Sequence, residues 1–135
     1  MRFLLTHPSE TRPSLVVDTC SAITDAAIAQ MKADLHGLGR SSGLLFDERQ
    51  CLILRDTYSS MDIGSIEVET RQPTDAVLAR VARVPLDERV GRWLEMLSAG
   101  WDSALPLEPA VAAPFIADIV PAASGSMLHA LEGAA

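Results

Sequence analysis

The fold is decided by three consecutive segments, which read SLVVDTC at residues 14–20, TDAAIAQMKADLHGL at residues 24–38 and GLLFDERQCLIL at residues 43–54. The first is short and contains β-branched residues, which predicts a strand. The second has its apolar residues at helical spacing behind a capping residue, Thr24 or Asp25, which predicts an amphipathic helix facing a core. The third consists of two apolar runs joined by a charged turn and predicts a β-hairpin.

The flanking segments extend this pattern on both sides. Phe3–Thr6 is predicted to be a further strand, which forms a hairpin with the strand at 14–20, and the alternating residues of Ile66–Thr70 predict an edge strand. Two helices should follow, the first capped by Thr74 and the second beginning near Asp87. We therefore expect an α/β (α+β) fold, in which a small mixed sheet of about four to five strands is packed by an amphipathic helix and followed by two helices and an Ala/Pro-rich tail.

The length of 135 residues accommodates one domain with its own hydrophobic core. We assign a single α/β domain to residues 1–105, with its core at 14–82 and a helical extension at 83–105. Residues 106–135 are an acidic tail, rich in Ala and Pro, without a lysine or arginine. Because apolar clusters persist in this tail, we expect it to be partly docked on the domain or to bind a partner.

The charge distribution and the apolar runs restrict the classes of partner. The net charge is −7, and all 11 basic residues lie at or before Arg92, so general nucleic-acid binding is not expected. No run of roughly 20 apolar residues occurs, and the start of the chain is too short for a secretory signal, which predicts a cytoplasmic location and no membrane partner. Cys20 and Cys51 lie in apolar runs and are expected to remain thiols.

The order of elements over roughly residues 14–82 resembles the second half of PD-(D/E)XK nuclease, or restriction-endonuclease-like, domains. The resemblance rests on the strand Ser14–Cys20, the helix Asp25–Leu38, the hairpin from Ser42 to Asp56, and the segment TDAVL that begins at Thr74. In that family a strand carrying Glu-x-Lys precedes a helix. The matching positions here are Asp18-Thr19-Cys20.

Under this resemblance the carboxylate is kept but Cys20 stands where the lysine should be, and the only lysine of the chain, Lys32, lies in the middle of the predicted helix. A two-carboxylate Mg²⁺ site with a lysine to orient water cannot be built from one aspartate. The resemblance thus implies a truncated, inactive relative without a cofactor, serving as a structural, adaptor or interaction subunit in a bacterial conflict or defence system. Asp18 is then either a strand-end acid satisfied by a partner or the relic of a metal ligand.

An alternative interpretation is that the protein is a catalytically active nuclease. Asp56 followed by Glu69-Thr70-Arg71 is a variant D…ExR motif, in which the arginine supplies the positive charge of the missing lysine. This interpretation predicts a Mg²⁺-dependent nuclease with Asp18 or Asp56 and Glu69 as metal-binding residues and Arg71 beside them. Alternating charges on an edge strand account for the same residues without any catalysis.

Candidate contact residues for a protein partner lie in the second half of the chain. Apolar residues of the predicted second helix fall within one arc that includes Trp93 and Trp101. In the tail, Pro114 and Pro121 should interrupt any long helix. The partner is expected to be another protein subunit or a second copy of the chain, contacted by a set of six large apolar residues: Trp93, Trp101, Phe115, Ile119, Met127 and Leu131.

Overall fold

One open, mixed sheet of six strands forms the centre of the computed structural model, which describes residues 1–39 and 42–131. The strands lie in the order β5-β4-β3-β2-β1-β6. Only β2 and β3 run parallel, and every other neighbouring pair is antiparallel. The strands are β1 (Arg2–Thr6), β2 (Leu15–Thr19), β3 (Ser42–Phe46), β4 (Gln50–Asp56), β5 (Ile66–Pro73) and β6 (Met127–Leu131). The predicted α/β (α+β) class is confirmed, with a sixth strand that comes from the tail.

The helices lie between and after these strands, and none within residues 1–39 and 42–131 is long and apolar enough to cross a membrane. They are α1 (Asp25–Gly37), α2 (Thr74–Val77), α3 (Leu86–Ser98), α4 (Pro109–Pro114) and α5 (Val120–Ala123). The last four residues of the predicted tail, 132–135, lie outside the described residues.

Helix α1 is the crossover that the parallel pair of β2 and β3 requires. The Thr24 hydroxyl caps its first turn by accepting a hydrogen bond from the Ala27 backbone N–H at 3.1 Å. At the other end the chain leaves the helix through Gly39, whose φ of +84° is accessible to glycine without strain. The helix predicted from residues 24–38 is therefore confirmed, including its cap.

The sheet separates two apolar layers. On one face α1 packs its buried Met31 and Leu35 against Leu45, Leu52 and other apolar residues of the central strands. On the opposite face a larger layer is built from α2 to α5. Its centre is Trp93, whose ring meets Phe46 and Phe115 edge-on at centroid distances of 5.7 and 5.8 Å.

Two predictions about helix ends are wrong. Thr74 does not cap α2, because Pro73 occupies the N-cap position and Thr74 is the first residue of the helix. Its hydroxyl donates to the Asp47 carbonyl at 2.8 Å and thereby joins α2 to the turn between β3 and β4. Trp101 does not continue the apolar stripe of α3, because that helix ends at Ser98 and the chain reverses at Gly100, where φ is +78°. Trp101 therefore lies outside the core, with 59% of its surface exposed.

The two tail prolines do interrupt the α-helical pattern, yet the chain remains helical from Pro109 to Ala123. Between α4 and α5 the segment Phe115–Ile119 is π-helical, and the Val120 N–H donates to the Phe115 carbonyl. Since proline has no N–H to donate, a single wider turn lets the helical path continue past both prolines. Gly125, with φ of +76°, then turns the chain into β6.

Candidate functional site

Asp18 lies in a charged cluster with Arg2 and Asp34 at the edge of the α1 layer. The Arg2 guanidinium donates to both Asp18 oxygens at 2.7 and 2.8 Å and to Asp34 Oδ2 at 2.6 Å. The hydrogen bonds that Arg2 donates to the Asp18 carboxylate, and then those to Asp34, raise the pKa of Arg2 above its ordinary value, although burial opposes this. Asp18 is thus a strand-end acid satisfied by a partner on β1, as one of the two interpretations predicted.

Cys20, which the predicted resemblance places at the position of a lysine, lacks the lowered pKa of an activated nucleophile. Burial, assisted by the nearby charges of Asp47 and Asp18, raises the pKa of its thiol. A raised pKa reduces the thiolate that would attack a substrate or bind a metal. Cys51 is fully buried, which raises the pKa of its thiol strongly, and neither cysteine forms a disulfide.

The residues of the D…ExR motif do not converge. Alternation along β4 places Asp56 on the face covered by α1, where its Oδ1 accepts from the Tyr58 N–H at 2.7 Å. Arg71 pairs with Leu52 and shares that face, but Leu52 and Asp56 are four residues apart, about 13 Å along the strand. Glu69 is the extra residue of a β-bulge between its neighbours on β5 and contacts Arg55 on the opposite face.

Glu69 instead belongs to a cluster that holds the π-helical segment against the sheet. Arg55 Nε lies 3.7 Å from Glu69 Oε1, and Arg55 Nη1 donates to Asp118 Oδ1 at 3.2 Å. Burial, and then the hydrogen bond with the Asp118 carboxylate, raise the pKa of Glu69. Sequence reasoning missed Asp118 as a partner because it lies 63 residues from Arg55 and no local pattern joins the two.

These positions do not fit the two-carboxylate Mg²⁺ site of the alternative interpretation. Asp18 is engaged by Arg2, while Asp56 and Glu69 lie on opposite faces of the sheet. Within the described parts of the chain, no group of three or more His, Cys, Asp or Glu side chains could hold a metal ion. The geometry therefore favours structural roles for Asp18, Asp56 and Glu69, while Arg71 is an exposed residue of β5.

The six predicted contact residues divide into two sets of three. Trp93, Phe115 and Ile119 have no exposed surface and belong to the core of this chain, so they offer nothing to a partner in this fold. The other three are exposed: Trp101 by 59%, Met127 by 54% and Leu131 by 43% of its surface. Trp101 borders a pocket of about 300 Å³ on α3, whereas the other two belong to β6.

Strand β6 combines an open edge with an uncharged sequence. It pairs with β1 over its whole length, with His129 opposite Leu4, and no strand of the described chain lies on its other side. Leu128 packs against the apolar layer centred on Trp93, called the Trp93 layer below. Because side chains alternate along a strand, the opposite face, which bears α1, receives Met127, His129 and Leu131. Since α1 packs over β3 and β5, this end of the sheet keeps exposed apolar side chains.

Comparison with known proteins identifies no relative of this chain. No protein-family model matches it, and neither a curated protein nor a solved structure does. The resemblance to PD-(D/E)XK domains thus remains a prediction from the residue pattern.

Proposed function

We propose that this protein is a non-catalytic interaction subunit, in which the sheet is a scaffold and β6 is the docking edge. The observation that supports this proposal is an outer strand, MLHAL, without any charged residue and with Met127 and Leu131 exposed. The N–H and C=O groups that point away from a sheet at its outer strand can pair with a strand from another chain. Apolar side chains on the same strand then supply buried area for the contact.

The positions of Asp18 and Glu69 agree with a non-catalytic role. Asp18 is paired with Arg2, and Glu69 helps to hold the π-helical segment. On this proposal, any ancestry shared with PD-(D/E)XK nucleases survives as a scaffold, and the accessory role in a defence system stays a prediction from that resemblance. No contact in the described residues favours the nuclease alternative.

Affinity capture from the native host tests the proposal, provided that each captured protein is then bound again in purified form. We expect the double variant Met127→Lys with Leu131→Lys to lose the partner. The matched control is Leu107→Lys with Ile116→Lys, which adds the same charge at two exposed apolar residues outside β6. Loss of the partner in the control, or retention in both variants, would contradict the role of β6.

A nuclease assay with Mg²⁺ addresses the alternative directly. The proposal predicts no metal-dependent cleavage of single-stranded or duplex DNA and RNA by the purified protein. Cleavage that Asp56→Asn or Glu69→Gln abolishes would establish the nuclease and overturn the proposal.

A further inference from the structure

We infer that the strand that docks on β6 is β6 of a second copy of this chain, so that two sheets join edge to edge into one of twelve strands. This inference rests on the proposed function and names its partner. Its support comes from the side chains of β6, from their register and from the contrast between β6 and the other edge of the sheet.

The register follows from the length of the strand. Antiparallel pairing that uses all five residues of β6 must be centred on its middle residue, which is His129. In that register Met127 lies opposite Leu131 of the second copy, and Leu128 lies opposite its Ala130. Residues directly opposite each other share a face of the sheet, so each apolar residue meets an apolar residue. The strand is therefore complementary to itself.

No charge on β6 itself opposes pairing with a second copy. Like charges directly opposite one another destabilise a pair of strands, and β6 carries no charged residue that could be placed so. Two copies joined through β6 are related by a two-fold axis, and the contact uses up the open edge of both. The assembly therefore stops at two chains.

The other edge is unsuited to the same contact. Strand β5 carries Glu67, Glu69 and Arg71, ends at Pro73, and is bent by the bulge at Glu69. Charges, bulges and prolines are the devices that prevent pairing at a sheet edge. A head-to-tail contact of β6 with β5, which would continue into a fibre, is thus disfavoured.

The size of the contact sets the strength that we expect. Five residues of strand extend over about 17 Å, which makes a small interface compared with stable dimers. Each chain also carries a net charge of −7, and the two charges repel. We therefore expect a concentration-dependent dimer with a dissociation constant in the micromolar range, on the order of 10 μM.

A charge-swap series tests both the occupant and the register by sedimentation velocity over a concentration range. The wild-type chain should dimerise. Met127→Lys with Leu131→Lys places lysines opposite lysines and should abolish the dimer at concentrations where the wild type is mostly dimeric. Met127→Lys with Leu131→Glu places Lys opposite Glu twice and should restore it. Circular dichroism and thermal melting establish that both variants are folded, which the exposure of the two side chains favours.

Cysteine cross-linking tests the position of the two-fold axis between the two β6 strands. The variants are made in a Cys20→Ser background, which removes the half-buried thiol. His129→Cys brings two thiols directly opposite each other, within the Cα separation that a disulfide accepts, so oxidation should give a covalent dimer. The matched control is Met127→Cys, whose two thiols would lie about 13 Å apart along the strands and should not cross-link.

Two results would overturn the inference. One is a wild-type chain that stays monomeric at about 300 μM, well above the expected dissociation constant. The other is a dimer that the Lys/Lys variant retains or the Lys/Glu variant fails to restore. If the chain is monomeric while capture of a different protein still depends on Met127 and Leu131, the second copy is wrong and the interaction role stands. If both measurements fail, the proposed function fails as well.

Discussion

Strands β5 and β6 are the two edges of one sheet, and they differ in the properties that govern pairing with another strand. Strand β5 alternates charged residues outward, contains a bulge and ends at Pro73, whereas β6 is a regular strand without a charge. Both are exposed to solvent along one side. The difference shows that the fold protects one edge and leaves the other open, so that association is expected in one direction only.

The edges also differ in how the rest of the chain supports them. Glu69 on β5 is tied to Arg55 and Asp118, which anchors the helical tail to that end of the sheet. Strand β6 is held by β1 and by the contact of Leu128 with the Trp93 layer. The segment from Pro109 to Ala123 therefore links the two edges, since it carries Asp118 and leads directly into β6.

The largest effect on stability is expected when the packing of the segment from Pro109 to Ala123 is disrupted. Phe115→Ala removes a fully buried ring that meets Trp93 edge-on, and should lower the free energy of unfolding by about 3–5 kcal/mol in a denaturant titration. The neighbouring Ile116→Ala is the control, because Ile116 is 52% exposed and its loss should change stability by no more than about 0.5 kcal/mol. Equal losses in the two variants would contradict this account of the tail.

A smaller loss of stability is expected at the Arg2 cluster, and it should affect β6 more than β5. Arg2→Met leaves Asp18 and Asp34 without their shared cation, and should lower the free energy of unfolding by about 1–3 kcal/mol. Because Arg2 lies on β1 opposite Leu131, hydrogen exchange should accelerate at the amides of β6 more than at those of β5.

The control for Arg2 is Arg92→Met, which breaks an exposed ion pair with Glu88 on α3. Such pairs contribute less than about 1 kcal/mol, so this variant should be close to the wild type. Faster exchange at β5 than at β6 in Arg2→Met would contradict the division of support between the edges.

The stability that Glu69 contributes at the β5 edge depends on pH. Burial and the Asp118 carboxylate raise the pKa of Glu69 in the folded chain. The stabilisation that protonated Glu69 contributes is therefore fully present below the ordinary pKa of a glutamate and is lost as pH rises through the raised value. Glu69→Gln keeps a hydrogen-bond donor at all pH values, and should exceed the wild type in stability by about 0.5 kcal/mol near neutral pH.

Thermal melts of both proteins across the acid range check this sign. The advantage of Glu69→Gln should grow as pH rises and vanish at acid pH. Glu67→Gln, which removes the same charge from an exposed position of the same strand and leaves the carboxyl group of Glu69 in place, serves as the control. An advantage that grows towards acid pH would show that the sign is wrong.

The smallest effect concerns β6 and salt. Raising the ionic strength from about 0.01 M to about 0.15 M shortens the Debye length from about 30 Å to about 8 Å. Because each chain carries a charge of −7, the dimer should tighten about two-fold over this range, as measured by sedimentation equilibrium. A non-ionic solute at equal osmolality controls for effects other than screening. Weakening by salt would indicate that attraction between charges holds the two chains together.

Much of the fold was predictable because its signals are local. The period of the apolar residues predicted α1 and α3, the charged turn predicted the hairpin of β3 and β4, and the alternation in Ile66–Thr70 predicted an edge strand.

The candidate site was predicted less well. Asp18 depends on Arg2, 16 residues away, and Glu69 depends on Asp118, 49 positions later in the chain. Neither pairing has a sequence period that could reveal it.

The sequence by itself determined the local elements and the uncharged character of MLHAL at residues 127–131. Only the tertiary structure decided that this segment is the outer strand of the sheet, since its pairing with β1 joins residues more than a hundred positions apart. It also decided that Trp93, Phe115 and Ile119 are buried while Trp101 is exposed. The physical reason is that periodicity tells which side of an element is apolar, whereas the completed fold determines which apolar surfaces remain uncovered.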